Sequence, residues 1–196
     1  MEIHQKKKQT MTNNTTLCGI DEAGRGCIAG DLVIAGCILH STIDGLNDSK
    51  KLTEKKREML YEEIVKNSTY HIVKFSSQQV DEDGLSSCIS KGLKEIIQTI
   101  KSDRYLFDGN SSFGIEDLPT MVKADAKILE VGAASILAKV THDRNILKDA
   151  KKYPLYEFEK HKGYGTKKHI EFIKEFGYCP IHRKSYKIKA LEPTLF

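Results

Sequence analysis

The chain has no Cys-x-x-Cys pair. Its five cysteines, Cys18, Cys27, Cys37, Cys88 and Cys179, are scattered and odd in number. That spacing excludes a zinc ribbon and a disulfide framework, and it fits a reducing cytosol. No apolar run approaches the ~18 residues that cross a bilayer, so no membrane span is expected and the protein reads as cytoplasmic. Lys6-Lys7-Lys8 is followed by no apolar stretch, which departs from the pattern of a secretory signal. Residues 1–15 read as a flexible tail. Internal repeats and low-complexity linkers are also missing.

What remains is an ordinary globular composition. The chain has 196 residues, 39% of them hydrophobic and 30% charged, enough for one domain with a full core and a small extension. The net charge of +4 is mild, but its distribution is uneven. Residues 151–190 carry eleven Lys or Arg against four Glu, a local excess of +7, which leaves the rest of the chain at −3. An acidic part beside a basic part suits a polyanion held by one and cut by the other. The expected organisation is a catalytic core over 16–150 and a basic helical extension of the same domain over 151–196.

Hydrophobic patterning predicts strands beginning at Leu17–Ile20, then over Cys27–Leu39, Tyr70–Phe75, Arg104–Phe107 and Thr120–Lys123. Helices are expected from Thr53 onward, with Leu60, Ile64 and Val65 on the apolar side, over Leu85–Ile100, and over Ile128–Leu147. Ser77–Asp83 reads as a short polar connection and Asn47–Leu52 as a polar loop. A hairpin followed by strands alternating with helices predicts an α/β fold, a mixed sheet with helices on both faces. Gly132, Ala133, Ala134 and Ser135 would let the long helix pack closely on that sheet.

The most informative stretch is Gly19-Ile20-Asp21-Glu22-Ala23-Gly24-Arg25-Gly26. Two adjacent carboxylates in an apolar, strand-like setting are costly unless a cation or proton offsets their repulsion. Oxygen-only ligands favour Mg²⁺ or Mn²⁺. Asp108 and Asp125 each follow the carboxyl end of an expected strand, where active sites of open α/β sheets form. Asp21, Glu22, Asp108 and Asp125 are therefore the candidate metal ligands and catalytic residues. Asp143 competes with Asp125, but the two stand 18 residues apart in a largely helical stretch, which is ~27 Å at helical rise. Unless the helix breaks, for which Gly132 offers a place, both cannot serve one centre. Asp143 is expected to pair with Lys139 on the helix surface.

Seven ordered blocks carry a wider resemblance: Gly19–Gly26, Asp48-Ser49-Lys50-Lys51-Leu52, Asp108-Gly109-Asn110, Lys123-Ala124-Asp125, Ala133–Val140, Lys162-Gly163-Tyr164-Gly165-Thr166 and Ile181-His182-Arg183. Over residues 17–186 the chain resembles the type 2 ribonucleases H (ribonuclease HII). The resemblance implies a ribonuclease H-like fold, a five-stranded mixed sheet flanked by helices with a C-terminal helical extension. It implies a metal-dependent endonuclease that cuts RNA in RNA–DNA hybrids and 5′ to single ribonucleotides in duplex DNA. Mg²⁺ or Mn²⁺ would serve, two ions with substrate bound. By position, Asp21, Glu22, Asp108 and Asp125 match the family's metal carboxylates. Gly24, Arg25 and Gly26 match its segment that reads the ribose 2′-OH, and Tyr164 its tyrosine packed on the sugar after the RNA–DNA junction. Asn47 and Lys50 match phosphate contacts, and Lys51, Lys162, Lys167, Lys168, Arg183 and Lys184 are further candidates for that role.

The departures from the family are His142 where Arg is usual, Ala124 where Gly is frequent, and Val131-Gly132 at a helix start that is usually richer in Ala. None touches a carboxylate, and they bear on substrate preference. The terminal Leu195-Phe196 resembles peptides that dock on replication sliding clamps. A monomer is expected. The rival readings are another nuclease of the superfamily, such as a type 3 ribonuclease H or a DNA-junction resolvase, and a non-catalytic hybrid-binding protein.

Overall fold

The computed structural model describes residues 15–46 and 52–191. Asn47, Lys50, Lys51, Leu195 and Phe196 lie outside them. Strands β1 (Leu17–Ala23), β2 (Leu32–Leu39), β3 (Ser68–Phe75), β4 (Arg104–Asp108) and β5 (Thr120–Met121) form one sheet in the order β3-β2-β1-β4-β5. β1, β2 and β3 are antiparallel neighbours, whereas β4 runs parallel to β1 and β5 parallel to β4. The expected five-stranded mixed sheet is present, with β1 at its centre.

Side chains alternate across a strand, so each face of β1 meets a different helix. Ile20 joins Ile34, Ile89, Leu93, Ile96 and Phe107 in one buried cluster, formed with helix α3 (Leu85–Thr99). On the opposite face Ala35, Cys37, Leu60, Ile64, Ala133, Ala134 and Leu137 form a second cluster. It includes helices α1 (Glu54–Lys66) and α4 (Leu129–Lys152). At Gly19 a Cβ would stand 2.3 Å from backbone atoms of Glu130 and Val131. Glycine there sets how closely the start of α4 approaches β1, and so how closely residues before that start approach the carboxylates of β1.

Three local expectations are corrected. Residues Cys27 to Asp31 do not extend β2. They form a loop that pairs instead with the C-terminal part of the chain, through isolated bridges Cys27–Tyr164 and Ala29–His182. Ser77–Asp83 is a helix, α2, rather than a connection. Ser76 and Gln79 form a reciprocal capping box and Val80 is buried, so two caps and one apolar contact suffice where periodicity is too short to read. Strand β5 ends at Met121 because Lys123 adopts a left-handed conformation (φ 59°). The chain then turns through a 3-10 segment, Ala124–Ala126, into α4.

The remaining helices, α5 (Phe158–His161) and α6 (Lys167–Phe176), pack on a third cluster. Phe158, Phe172, Tyr156 and Cys179 meet Ala29 and Ile146 there. Thr166 caps α6 by accepting from the backbone N–H of His169.

Candidate active site

Asp21 and Asp108 lie on neighbouring parallel strands, with Ile20 opposite Phe107 in the register. Ile20 and Phe107 share the α3 face, so the next residue on each strand points to the α4 face. Asp125 reaches the same place from the turn that precedes α4. That turn is tied to β4 by a hydrogen bond of 3.2 Å from the Ala124 N–H to Asp108 Oδ1. Carboxylate oxygens of Asp21, Asp108 and Asp125 lie within 4.8 Å of one another.

Glu22 projects from the other face of β1, as its position in the strand requires. It lines the same cleft as Asp21, Gly24, Arg25, Gly26, Ser135, Lys139 and Tyr164. Its Oε1 lies 3.5 Å from Arg25 Nη1, while its buried Oε2 has no hydrogen-bond partner.

The electrostatics of this cluster are unfavourable on their own. Burial and the neighbouring Glu22 push the Asp21 carboxyl well above its usual range, with Asp108 adding to the effect; a hydrogen bond from Ser135 works against it. Burial also raises Glu22, against the opposing pull of Arg25. Such a group of carboxylates is stabilised by protons or by a divalent cation. All donors are hard oxygens, three of them converge, and a fourth carboxylate offers an unsatisfied atom. This set fits Mg²⁺ or Mn²⁺ and does not fit a soft or nitrogen-preferring metal.

The segment after Glu22 is held from behind. Gly24 has φ 83°, and a Cβ there would stand 2.3 Å from the Asp31 carbonyl and 2.7 Å from the His142 ring. No other residue fits. Gly26, by contrast, has open space at its Cβ position, so the packing of the chain does not demand glycine there. Arg25 is exposed, and Tyr164 is 40% exposed. The Tyr164 ring stands 5.4 Å from Lys139 Nζ.

Two side-chain readings are corrected. Arg183 is fully buried and does not face solvent as a phosphate contact must. Its Nη1 donates to the Gly24 carbonyl at 2.7 Å, and Nε and Nη2 donate to the Gly30 carbonyl at 3.1 and 2.9 Å. It is a brace for the loop that carries Gly24 and Arg25. Asp143 does pair with Lys139, at 2.8 Å, but it is buried rather than on the helix surface. It also accepts from His142 Nδ1 at 3.0 Å. Burial would raise its carboxyl, but the bonds from His142 and Lys139 outweigh this and hold it below the ordinary range. It lies apart from the carboxylate group, as the length of α4 requires.

Of the other basic candidates, Lys167, Lys168 and Lys184 are exposed. Lys162 is largely covered, and its ammonium donates to the Glu159 carbonyl at 3.0 Å. Sequence reasoning missed Ser135 as a partner of Asp21 and Lys139 as a wall of the cleft. Their signal was present: Ser135, Lys139 and Asp143 repeat every four residues, on one face of a helix.

The chain is similar to known proteins over most of its length. The model of the family described as Ribonuclease HII matches residues 18–189. A protein named ribonuclease HII from Sulfurovum sp. (strain NBC37-1) is 59% identical over 188 residues, 95% of this chain and 100% of its own length. One from Campylobacter jejuni subsp. jejuni serotype O:23/36 (strain 81-176) is 57% identical over 173 residues, 88% of this chain and 91% of its own. Among solved structures, a chain of the PCNA:RNase HII complex from Archaeoglobus fulgidus aligns with a TM-score of 0.76 at 30% identity, over 88% of this chain and 96% of that one.

Proposed function

The chain belongs to the ribonuclease HII family, with its ribonuclease H-like fold, and is an endoribonuclease of RNA–DNA hybrids; we propose that Asp21, Glu22, Asp108 and Asp125 hold the divalent ions it depends on. The observation that carries this reading is the convergence of Asp21, Asp108 and Asp125 within 4.8 Å from three separate parts of the chain. When bound, a pair of Mg²⁺ or Mn²⁺ ions supplies an activated water and stabilises the charge on the leaving 3′-oxygen.

The protein's own groups hold and orient. The carboxylates fix the ions, and their clustered charge means that ion binding displaces protons. Ser135 holds Asp21 in place. Gly24, Arg25 and Gly26 present backbone groups to the ribose 2′-OH, the group that separates RNA from DNA. Tyr164 packs on the sugar that follows, where a second 2′-OH would crowd it. Lys167, Lys168 and Lys184, with Asn47, Lys50, Lys51 and Lys162, meet phosphates without reading sequence. Incision falls 5′ to a single ribonucleotide in duplex DNA and leaves 3′-hydroxyl and 5′-phosphate ends.

Ribonucleotide removal during replication and repair, by a cytoplasmic monomer, is the role that follows. A sliding clamp is the partner proposed for Leu195 and Phe196, and the Archaeoglobus fulgidus relative solved with PCNA supports it. No helix among the described residues is long and apolar enough to cross a membrane.

A cleavage assay tests the substrate reading. Duplex DNA with one ribonucleotide should be cut only with Mg²⁺ or Mn²⁺ present, and an all-DNA duplex not at all. Tyr164→Ala should impair cutting at the single ribonucleotide about tenfold more than cutting of a long hybrid, a difference equivalent to ~1.4 kcal/mol of transition-state stabilisation. Equal losses on the two substrates would contradict junction reading.

A further inference from the structure

Three histidines are buried in the C-terminal part of the chain, away from the carboxylates: His161, His169 and His182. Two of them form a chain of hydrogen bonds that ends on Tyr164. His169 Nδ1 lies 2.9 Å from the Tyr164 carbonyl. A carbonyl only accepts, so this nitrogen carries the proton. The neutral ring then has a bare Nε2, which lies 3.0 Å from His182 Nε2. His182 must therefore carry its proton on Nε2 and donate it to His169. Its own Nδ1 is then bare, and the Cys179 N–H donates to it at 2.9 Å. The Cys179 carbonyl, at 3.3 Å from the same nitrogen, is not a partner that a bare nitrogen can use.

One arrangement of protons satisfies every link: Cys179 N–H to His182, His182 to His169, His169 to the Tyr164 carbonyl. A second proton on either ring would set two N–H groups against each other. Burial lowers both histidines to about 4, in keeping with neutral rings near pH 7. The His161 ring stacks on His169 at 4.1 Å and 18°, and its Nε2 donates to the Tyr156 carbonyl at 2.8 Å. It fixes the plane of the His169 ring.

Tyr164 stands between Gly163 and Gly165, which constrain the backbone least. Its N–H donates to the His161 carbonyl at 3.0 Å, and its carbonyl accepts from the Thr166 N–H at 2.8 Å as well as from His169, so His169 supplies the side-chain donor that ties this turn to the buried core. Tyr164 pairs with Cys27 on its other side, just after the Gly24–Gly26 segment. We infer that His169 and His182 are positioning residues, a neutral pair that fixes the Tyr164 backbone and thereby the angle of its ring over the sugar. The inference rests on the reading of Tyr164 as the residue that meets the sugar after the junction.

Two substitutions separate the links. The amide of Asn reaches the position of Nδ1, so His169→Asn retains a donor to the Tyr164 carbonyl. The amide of Gln reaches the position of Nε2, so His169→Gln retains the bond with His182 and abandons the carbonyl. The readout is the ratio of kcat/KM on a single embedded ribonucleotide to kcat/KM on a long hybrid. His169→Gln should lower it about tenfold, the loss that follows from one misplaced contact, and His169→Asn should keep it within about threefold of wild type. Equal ratios for the two variants, with Tyr164→Ala shifting the ratio, would overturn the positioning role alone. An unchanged ratio in Tyr164→Ala would remove the reading of Tyr164, and the positioning role with it.

Nitrogen NMR of the intact wild-type chain is independent of both variants and of their folding. It should show His169 as the Nδ1–H tautomer and His182 as the Nε2–H tautomer near pH 7. Any other tautomer pair would overturn the inference.

Discussion

Asp21→Asn and Asp108→Asn should each lose about a thousandfold or more in kcat on an RNA–DNA hybrid, equivalent to ~4 kcal/mol or more of transition-state stabilisation, while hybrid affinity stays close to wild type. Asn preserves the size of the side chain but removes its charge and one oxygen ligand. Binding is expected to survive because phosphates and the 2′-OH are assigned to groups other than the carboxylates: the lysines, Tyr164 and the backbone of Gly24, Arg25 and Gly26. Loss by misfolding can be told apart. Asp21 is a carboxyl whose charged form is disfavoured by burial and by Glu22. Near neutral pH and without divalent ions, replacing it by a neutral amide should leave the fold at least as stable as wild type. Single-turnover cleavage, hybrid binding and thermal unfolding, measured together, check the prediction. Near-normal cleavage by both variants with Mg²⁺ would reject these residues as ligands.

Arg183→Ala is expected to destabilise the protein by about 3–5 kcal/mol, the range for truncating a large buried side chain and leaving carbonyls short of donors. Its guanidinium bonds the carbonyls of Gly24 and Gly30 and the Tyr186 hydroxyl, and it is fully buried. Without it the Gly30 carbonyl loses both guanidinium donors, the Gly24 carbonyl keeps only the Cys27 N–H at 3.2 Å, and the loop bearing Gly24 and Arg25 loses its brace. Arg183→Lys should not restore stability, because one ammonium cannot span acceptors that a planar fork of donors was matched to. Lys184→Ala, one residue on but exposed, should leave unfolding unchanged and weaken only salt-dependent binding. The melting temperature of Arg183→Ala should fall by roughly 10 °C or more. A wild-type melting curve combined with reduced hybrid affinity would return Arg183 to the role of a phosphate contact.

Arg183 also shows where sequence reading reaches its limit. In a segment with eleven basic residues, charge alone marks all of them as candidates for a polyanion. Which one turns inward depends on carbonyls contributed by residues 24–30, and that long-range pairing leaves no periodic trace. The loop Cys27 to Asp31 reads as strand for the same reason: it is apolar, but it pairs with Tyr164 and His182 instead of extending the sheet. α2 was missed because its signal lies in capping residues and a single Val.

The carboxylates were legible because burying Asp-Glu in an apolar strand has few explanations other than a cation. Helix rise sets Asp125 and Asp143 apart, and the place of Asp125 just after a strand favours it over Asp143. Strand alternation could have foretold that Glu22 approaches the site from the opposite face to Asp21. The histidine relay was invisible in sequence, since it depends on which ring nitrogen meets which backbone group.

The most direct test is anomalous scattering from crystals of the protein soaked with Mn²⁺. Manganese is expected against carboxylate oxygens of Asp21, Asp108 and Asp125. Manganese bound elsewhere, with these side chains left without it, would reject them as the metal ligands.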